Sequence, residues 1–151
     1  PPRSLYFDLG NYLKAQSKRT VPFTPSIPAL YGLNAALDEL RDEGLANRKG
    51  LYQARADYLD GAFARLGFEP RVAAPHRSRS VRSLPLPPGI DYDTLHDRLK
   101  NEGYIIYAGL GDSAKTTFRV CALGALTVEA LEGFVGAFER ATAREPVAIT
   151  A

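Results

Sequence analysis

Methionine and tryptophan are absent from this 151-residue chain, cysteine occurs once, at Cys121, and histidine twice, at His76 and His96. A single cysteine excludes an internal disulfide framework and suits a reducing compartment, so a cytoplasmic location is expected. Two separated histidines, without cysteines or paired carboxylates beside them, leave no metal constellation. The opening Pro1-Pro2-Arg3-Ser4 has no initiator methionine and no charged-then-apolar leader, and reads as the start of a processed or excised piece. No apolar run approaches the roughly 18 residues that a membrane span needs, so no membrane partner is expected. An excess of one charge is missing as well: 19 basic and 17 acidic residues interleave to a net +2. That balance argues against nucleic acid as a partner. The local exception is a basic cluster, Arg71, His76, Arg77, Arg79 and Arg82, for which a solvated edge is the ordinary explanation.

What is present fits one domain with an apolar core, since 45% of the residues are hydrophobic. Leu5–Gln16 reads as a short helix, and the Pro- and hydroxyl-rich Ser17–Pro28 as an ordered loop. Leu30, Leu33, Leu37 and Leu40 form one stripe of an amphipathic helix that Ser26 can cap and Gly44 ends. A second helix runs to Gly67, with Leu51, Tyr58, Leu59, Ala62, Phe63 and Leu66 on one face and Arg48, Lys49, Arg55, Asp57 and Asp60 mostly off it. Phe68–Ala74 reads as a weak edge strand and Ser80–Leu86 as another, confined by its prolines to an edge or a strand end. Asp91 or Asp93 can cap a helix bearing Leu95 and Leu99, and Thr127 a last one bearing Leu131, Phe134, Val135 and Phe138. The expected fold class is α+β (α/β): a small, mostly antiparallel sheet with helices packed on it.

The chain is organised around Tyr104–Gly124. Tyr104–Tyr107 and Thr117–Ala122 are rich in β-branched and aromatic residues and read as strands. Alternation sends Phe118 and Val120 to one side and Thr117, Arg119 and Cys121 to the other. A guanidinium standing on a sheet can grip a carboxylate or phosphonate through two parallel hydrogen bonds. A solvated or salt-bridged strand arginine is the competing reading of Arg119. Cys121, in an apolar strand without a nearby histidine, reads as a buried structural thiol. The Gly109–Lys115 run, GLGDSAK, lacks the consecutive Gly-Lys-Ser/Thr of a phosphate loop and precedes a strand, so a tight loop near a ligand or a plain hairpin connection is favoured. Thr24 offers a hydroxyl suited to a phosphate oxygen, though taken alone it is a loop threonine.

PFTPSIPALYGLNAALDEL, RADYLDGAFARLGFEP and, above all, GYIIYAGLGDSAKTTFRVCALGALT resemble the C-terminal part of the class V aminotransferases, notably the branch that acts on 2-aminoethylphosphonate and pyruvate. The resemblance runs from about Arg3 to about Arg140. It implies pyridoxal 5'-phosphate as cofactor, a small amine and an oxo acid as substrates, a homodimer and an N-terminal large domain. It further implies that Thr24 reaches the cofactor phosphate of the neighbouring subunit, that Arg119 clamps the substrate carboxylate, and that Gly109 marks the bend of the loop toward the substrate. Ala108 stands where the phosphonate enzymes often have proline, and Cys121-Ala122 where they have Gly-Asn, which leaves the amino donor open. The Schiff-base lysine of the family precedes the region that resembles it, so this chain alone is expected to be inactive. The implied organisation is an interdomain segment with a Pro-rich loop at residues 1–28, a small C-terminal domain at 29–143 and a tail at 144–151. The alternative from another class is a stand-alone, non-catalytic domain that binds small anions or a protein.

Overall fold

The computed structural model describes residues 3–143; the tail at 144–151 and the two leading prolines lie outside the described residues. Two units divide after Leu45.

In the N-terminal unit, Asp8 accepts hydrogen bonds from the backbone of Gly10 and Asn11 at 3.0 and 3.3 Å and thereby starts α1 (Leu9–Ser17). The helix begins later than its apolar pattern suggests because the cap decides the start. After the Pro-rich loop comes α2 (Ile27–Glu43), with Pro28 in its first turn, where a missing N–H costs nothing. Ser26 occupies the cap position without a side-chain bond, and Gly44, at φ 84°, closes the helix. The leucine stripe forms as spaced, but Leu30, Leu33 and Leu37 stay 53, 56 and 49% exposed.

The C-terminal unit contains all but the first residue of α3 (Leu45–Arg65), then β1 (Val81–Pro85), α4 (Tyr92–Asn101), β2 (Tyr107–Ala108), β3 (Thr117–Cys121) and α5 (Val128–Thr142). The three strands make an antiparallel sheet in the order β1-β3-β2. Helices cover one face. Phe118 and Val120 point into that side and meet Leu59 and Phe63 of α3, Leu95 and Leu99 of α4, and Leu131, Phe134 and Phe138 of α5. Phe63 packs against Phe118 and Phe138 with centroids 6.4 and 5.2 Å apart, both edge-to-face, the arrangement the ring quadrupoles favour. Burying each such ring contributes about 1.5–3 kcal/mol.

Two helices end on the same device. Gly67 and Gly103 take φ of 81° and 88°, which lets the next residue reach back: Phe68 N–H donates to Phe63 O at 2.8 Å, and Tyr104 N–H to Leu99 O at 2.9 Å. The second closure explains why the expected Tyr104–Tyr107 strand shrinks to Tyr107–Ala108. Tyr104 is spent on capping α4, and the Ile106 carbonyl accepts the hydroxyl of Tyr92 at 3.0 Å instead of joining a ladder.

The edge strand expected over Phe68–Ala74 does not form. Pro70 interrupts the segment and Pro75 follows directly after it, and among the described residues its one backbone bond to the sheet is Arg71 N–H to Ser83 O at 3.0 Å. Asp91 and Thr127 cap α4 and α5 through the N–H groups of Thr94 and Ala130. Arg55, expected off the apolar face of α3, is only 8% exposed and donates to the carbonyls of Ala122, Gly124 and Leu126, pinning the chain where it leaves β3.

Candidate functional site

The other face of the sheet, away from the helices, is open. Alternation along the strands places Val81, Ser83 and Pro85 of β1, Tyr107 of β2, and Thr117, Arg119 and Cys121 of β3 on it. Arg119 sits in the middle, directly opposite Ser83 on one side and Tyr107 on the other. Its Nε–H donates to the carbonyl of Ala108 at 2.8 Å. Both terminal Nη groups have no partner among the described residues. The arginine is thus held at its neck and free at its fork, the part that pairs with a carboxylate. No carboxylate of the described residues forms an ion pair with it.

One end of this face is walled off. The β2–β3 connection forms a short 3-10 turn at Gly111–Ser113 and folds onto Thr117, which is 1% exposed and donates its hydroxyl to the Ser113 carbonyl at 2.9 Å. Gly109 makes this approach feasible. A Cβ built there would lie 2.1 Å from the Thr117 hydroxyl and 2.5 Å from the Ser113 carbonyl. The loop returns as a strand, so Gly109–Lys115 is the connection between two antiparallel strands and not a phosphate loop.

Cys121 corrects an expectation. It is exposed, because the alternation that directs Arg119 outward directs Cys121 outward too. The basic cluster also resolves: Arg82 is buried and bonds Asp60 at 2.5 Å and the Ser78 carbonyl, while Arg77 reaches the same aspartate at 3.5 Å. Those two arginines hold β1 against α3. Among the described residues no group of histidine, cysteine and carboxylate side chains could hold a metal ion, and no helix is long and apolar enough to cross a membrane.

Thr24 belongs to the N-terminal unit, whereas Gly109 and Arg119 belong to the C-terminal one. It is exposed in irregular chain, with its hydroxyl unpartnered among the described residues. The residue before it is anchored: the ring of Phe23 lies 5.0 Å from that of Tyr6 and 6.0 Å from that of Tyr12, whose own N–H is tied to the Asp8 carbonyl. Burial and the neighbouring phenol of Tyr6 raise the pKa of Tyr12 above the usual tyrosine value.

Ser83, Tyr107 and Thr117 were not singled out from the sequence. Thr117 and Arg119 alternate on one strand, which is legible; the cross-strand register that brings Ser83 and Tyr107 beside Arg119 is not.

No protein-family profile matches the chain. It is 35% identical over 119 residues, 76% of its length, to a 2-aminoethylphosphonate–pyruvate transaminase of Burkholderia mallei. The match is to 32% of that protein, so the chain spans about a third of the length of the curated relatives it resembles. In structure it is similar to an aspartate aminotransferase of Thermus thermophilus, with a TM-score of 0.77 and 28% identity over 94% of this chain and 40% of that one. It is equally similar to an alanine–glyoxylate aminotransferase of Nostoc, with a TM-score of 0.78 and 29% identity over 88% of this chain and 35% of that one. Sequence and fold agree that the chain belongs to the class V aminotransferases, a family of pyridoxal-phosphate-dependent enzymes.

Proposed function

We propose that the chain is the small C-terminal part of a transaminase that moves an amino group from 2-aminoethylphosphonate, or a similar small amine, to pyruvate. In this reading a large N-terminal domain and a second copy of the protein complete the enzyme. The share of each relative that the chain covers, between 32% and 40% for the three proteins above, supports a missing large domain. So do the side chains of Leu5, Phe7, Leu9 and Leu13, exposed at 78, 78, 74 and 66%, since a self-contained module would seal such a surface.

The observation that carries the reading is the arrangement at Arg119. Its neck is fixed by the Ala108 carbonyl, so the fork presents both Nη groups in one orientation and binds the oxo acid's carboxylate without first losing much freedom. A carboxylate oriented in this way holds the carbonyl carbon at a fixed distance from the sheet, which is what positioning contributes to catalysis. The exposed, unpartnered hydroxyl of Thr24 fits a phosphate oxygen, and its role is to donate to the phosphate of the cofactor in the neighbouring subunit. Pyridoxal phosphate, when bound, supplies the electron sink that makes amino transfer feasible. The lysine that carries it belongs to the large domain in this reading, and the present chain alone is inactive.

Replacing Arg119 with alanine in the full-length gene product tests the assignment. Losing hydrogen bonds to a charged group raises KM for pyruvate about 10- to 100-fold. An unchanged KM would remove Arg119 from the substrate site.

A further inference from the structure

A cavity of about 340 Å3 lies between α3 and the turn that leads into β1, and every residue lining it belongs to the C-terminal unit. Three arginines line it, Arg77, Arg79 and Arg82, together with the carboxylates of Asp57 and Asp60. Arg82 is only 4% exposed, because the alternation along β1 turns it toward the helices, away from the face that bears Arg119. Its Nε–H donates to Asp60 at 2.5 Å, and its Nη1 to the carbonyls of Ser78 and Val81. Its Nη2 has no partner among the described residues. Every side-chain nitrogen or oxygen sealed from solvent among the described residues is hydrogen-bonded. The Nη2 of Arg82 is therefore not sealed, and the cavity that this side chain lines is its opening.

The other two arginines leave donors over as well. Arg77 is held at its neck, where Nε–H donates to the Val72 carbonyl at 2.7 Å, and its Nη1 reaches the same Asp60 at 3.5 Å, which brings it beside Arg82. Its Nη2 has no partner among the described residues. Arg79 is exposed and makes no side-chain bond among them at all. The turn that carries both is fixed: the Ser78 hydroxyl accepts the N–H groups of Ser80 and Val81 at 3.2 and 3.4 Å. Asp57 is exposed and accepts from Gln53 at 2.6 Å, so its charge is solvated at the mouth. Inside, three guanidiniums meet one carboxylate, Asp60, which leaves two positive charges unbalanced (three minus one).

We propose that this cavity is a binding site for the phosphate group of a small phosphate monoester. Such a group carries close to two negative charges at neutral pH and offers three terminal oxygens, the number and charge that the guanidiniums of Arg77, Arg79 and Arg82 can meet. Arg82 and Arg77 are preset by Asp60, so binding has to order little beyond Arg79. The cavity is in the size range of small-molecule sites, and Ala74 and Pro75 line it where an organic portion can rest.

The test is isothermal titration calorimetry on the full-length protein, dialysed free of phosphate, with glycerol 3-phosphate as the probe. Wild type is expected to give saturable binding. Arg79 makes no side-chain bond among the described residues, so Arg79→Ala keeps the fold. This variant is expected to weaken the probe about tenfold or more and to leave the KM for pyruvate unchanged. Asp57→Asn retains an acceptor for Gln53 but removes the negative charge at the mouth, and is expected to tighten the probe about threefold. Arg119→Ala binds the probe as wild type does. Absence of saturable binding in wild type, or an affinity that neither Arg79→Ala nor Asp57→Asn changes, overturns the site. Loss of binding in Arg119→Ala with Arg79→Ala unaffected overturns it too, since the probe then occupies the open sheet face. Acetate binding more tightly than the probe overturns the choice of phosphate, and inorganic phosphate binding more tightly overturns the organic portion.

Discussion

Arg119 and Ala108 are joined across the β2–β3 pair: the Nε–H of the arginine donates to the alanine carbonyl at 2.8 Å, from a strand position one step away in register. This bond uses the one guanidinium N–H that a carboxylate approaching the Nη edge does not need. It makes Arg119 a poor candidate for conservative exchange. Lysine keeps the charge but has no Nε to anchor and no planar fork. Arg119→Lys in the full-length enzyme is therefore expected to lose about 10- to 100-fold in kcat/KM for pyruvate while the unfolding midpoint changes little. Steady-state kinetics beside a thermal melt checks both halves, and wild-type kinetics in the lysine variant would show that charge alone suffices.

Gly109→Ala is expected to destabilise the loop that walls the site. The clash involves the Thr117 hydroxyl at 2.1 Å, which can rotate, and the Ser113 backbone carbonyl at 2.5 Å, which cannot move without shifting the 3-10 turn. Overpacking of this kind costs about 1–3 kcal/mol. Urea denaturation measures the loss. Because the wall adjoins Arg119, pyruvate affinity falls in the same variant even at temperatures where it stays folded.

Much of this arrangement was legible in the chain itself. Alternation through Thr117–Cys121 assigned Arg119 to the face away from the core, and the caps at Asp91 and Thr127 located α4 and α5. What local pattern does not encode is competition between elements. Tyr104 has the composition of a strand residue, yet closing α4 outweighs pairing there. Cys121 is a different case: its apolar neighbours Val120 and Ala122 lie on the opposite face, and the alternation that sets Arg119 outward exposes the thiol as well. Arg55 carries a charge that favours solvent, and only the three carbonyls gathered after β3 make its burial favourable. The proximity of Ser83 to Arg119 joins positions far apart in the chain and is a product of register alone.

Removing Arg55 exposes the reason it is buried. Arg55→Ala leaves the carbonyls of Gly124 and Leu126 without their donor and opens a void beside α3, a combination expected to cost about 2–4 kcal/mol. Arg55→Lys recovers part of this, since an ammonium can serve one or two carbonyls but not three spread along a bend. Chemical denaturation of the two variants should rank them wild type, lysine, alanine. Equal stability of all three would mean that the bend after β3 is held by the core alone.

The cap of α4 is expected to give the protein a signature at acid pH. Asp91 accepts from the N–H of Thr94 at 2.8 Å, and bonds from the Thr94 side chain and backbone lower its pKa below the usual aspartate value of about 3.9. The sign follows from linkage. A carboxyl that is more acidic folded than unfolded adds stability at pH above its unfolded value, and that stability is lost as pH falls through the lower folded value. Asp91→Ala should therefore unfold at a lower temperature than wild type at neutral pH. The gap should hold down to about pH 4 and narrow below it, as protonation converts the carboxylate into a weaker acceptor. Asp91→Asn, which keeps an acceptor oxygen without the charge, should fall between the two at neutral pH and show a flatter acid limb. Thermal melts from pH 7 down to pH 2.5 distinguish these curves. A gap between wild type and Asp91→Ala that stays constant over that range would mean that the cap acts through its geometry and not through its charge.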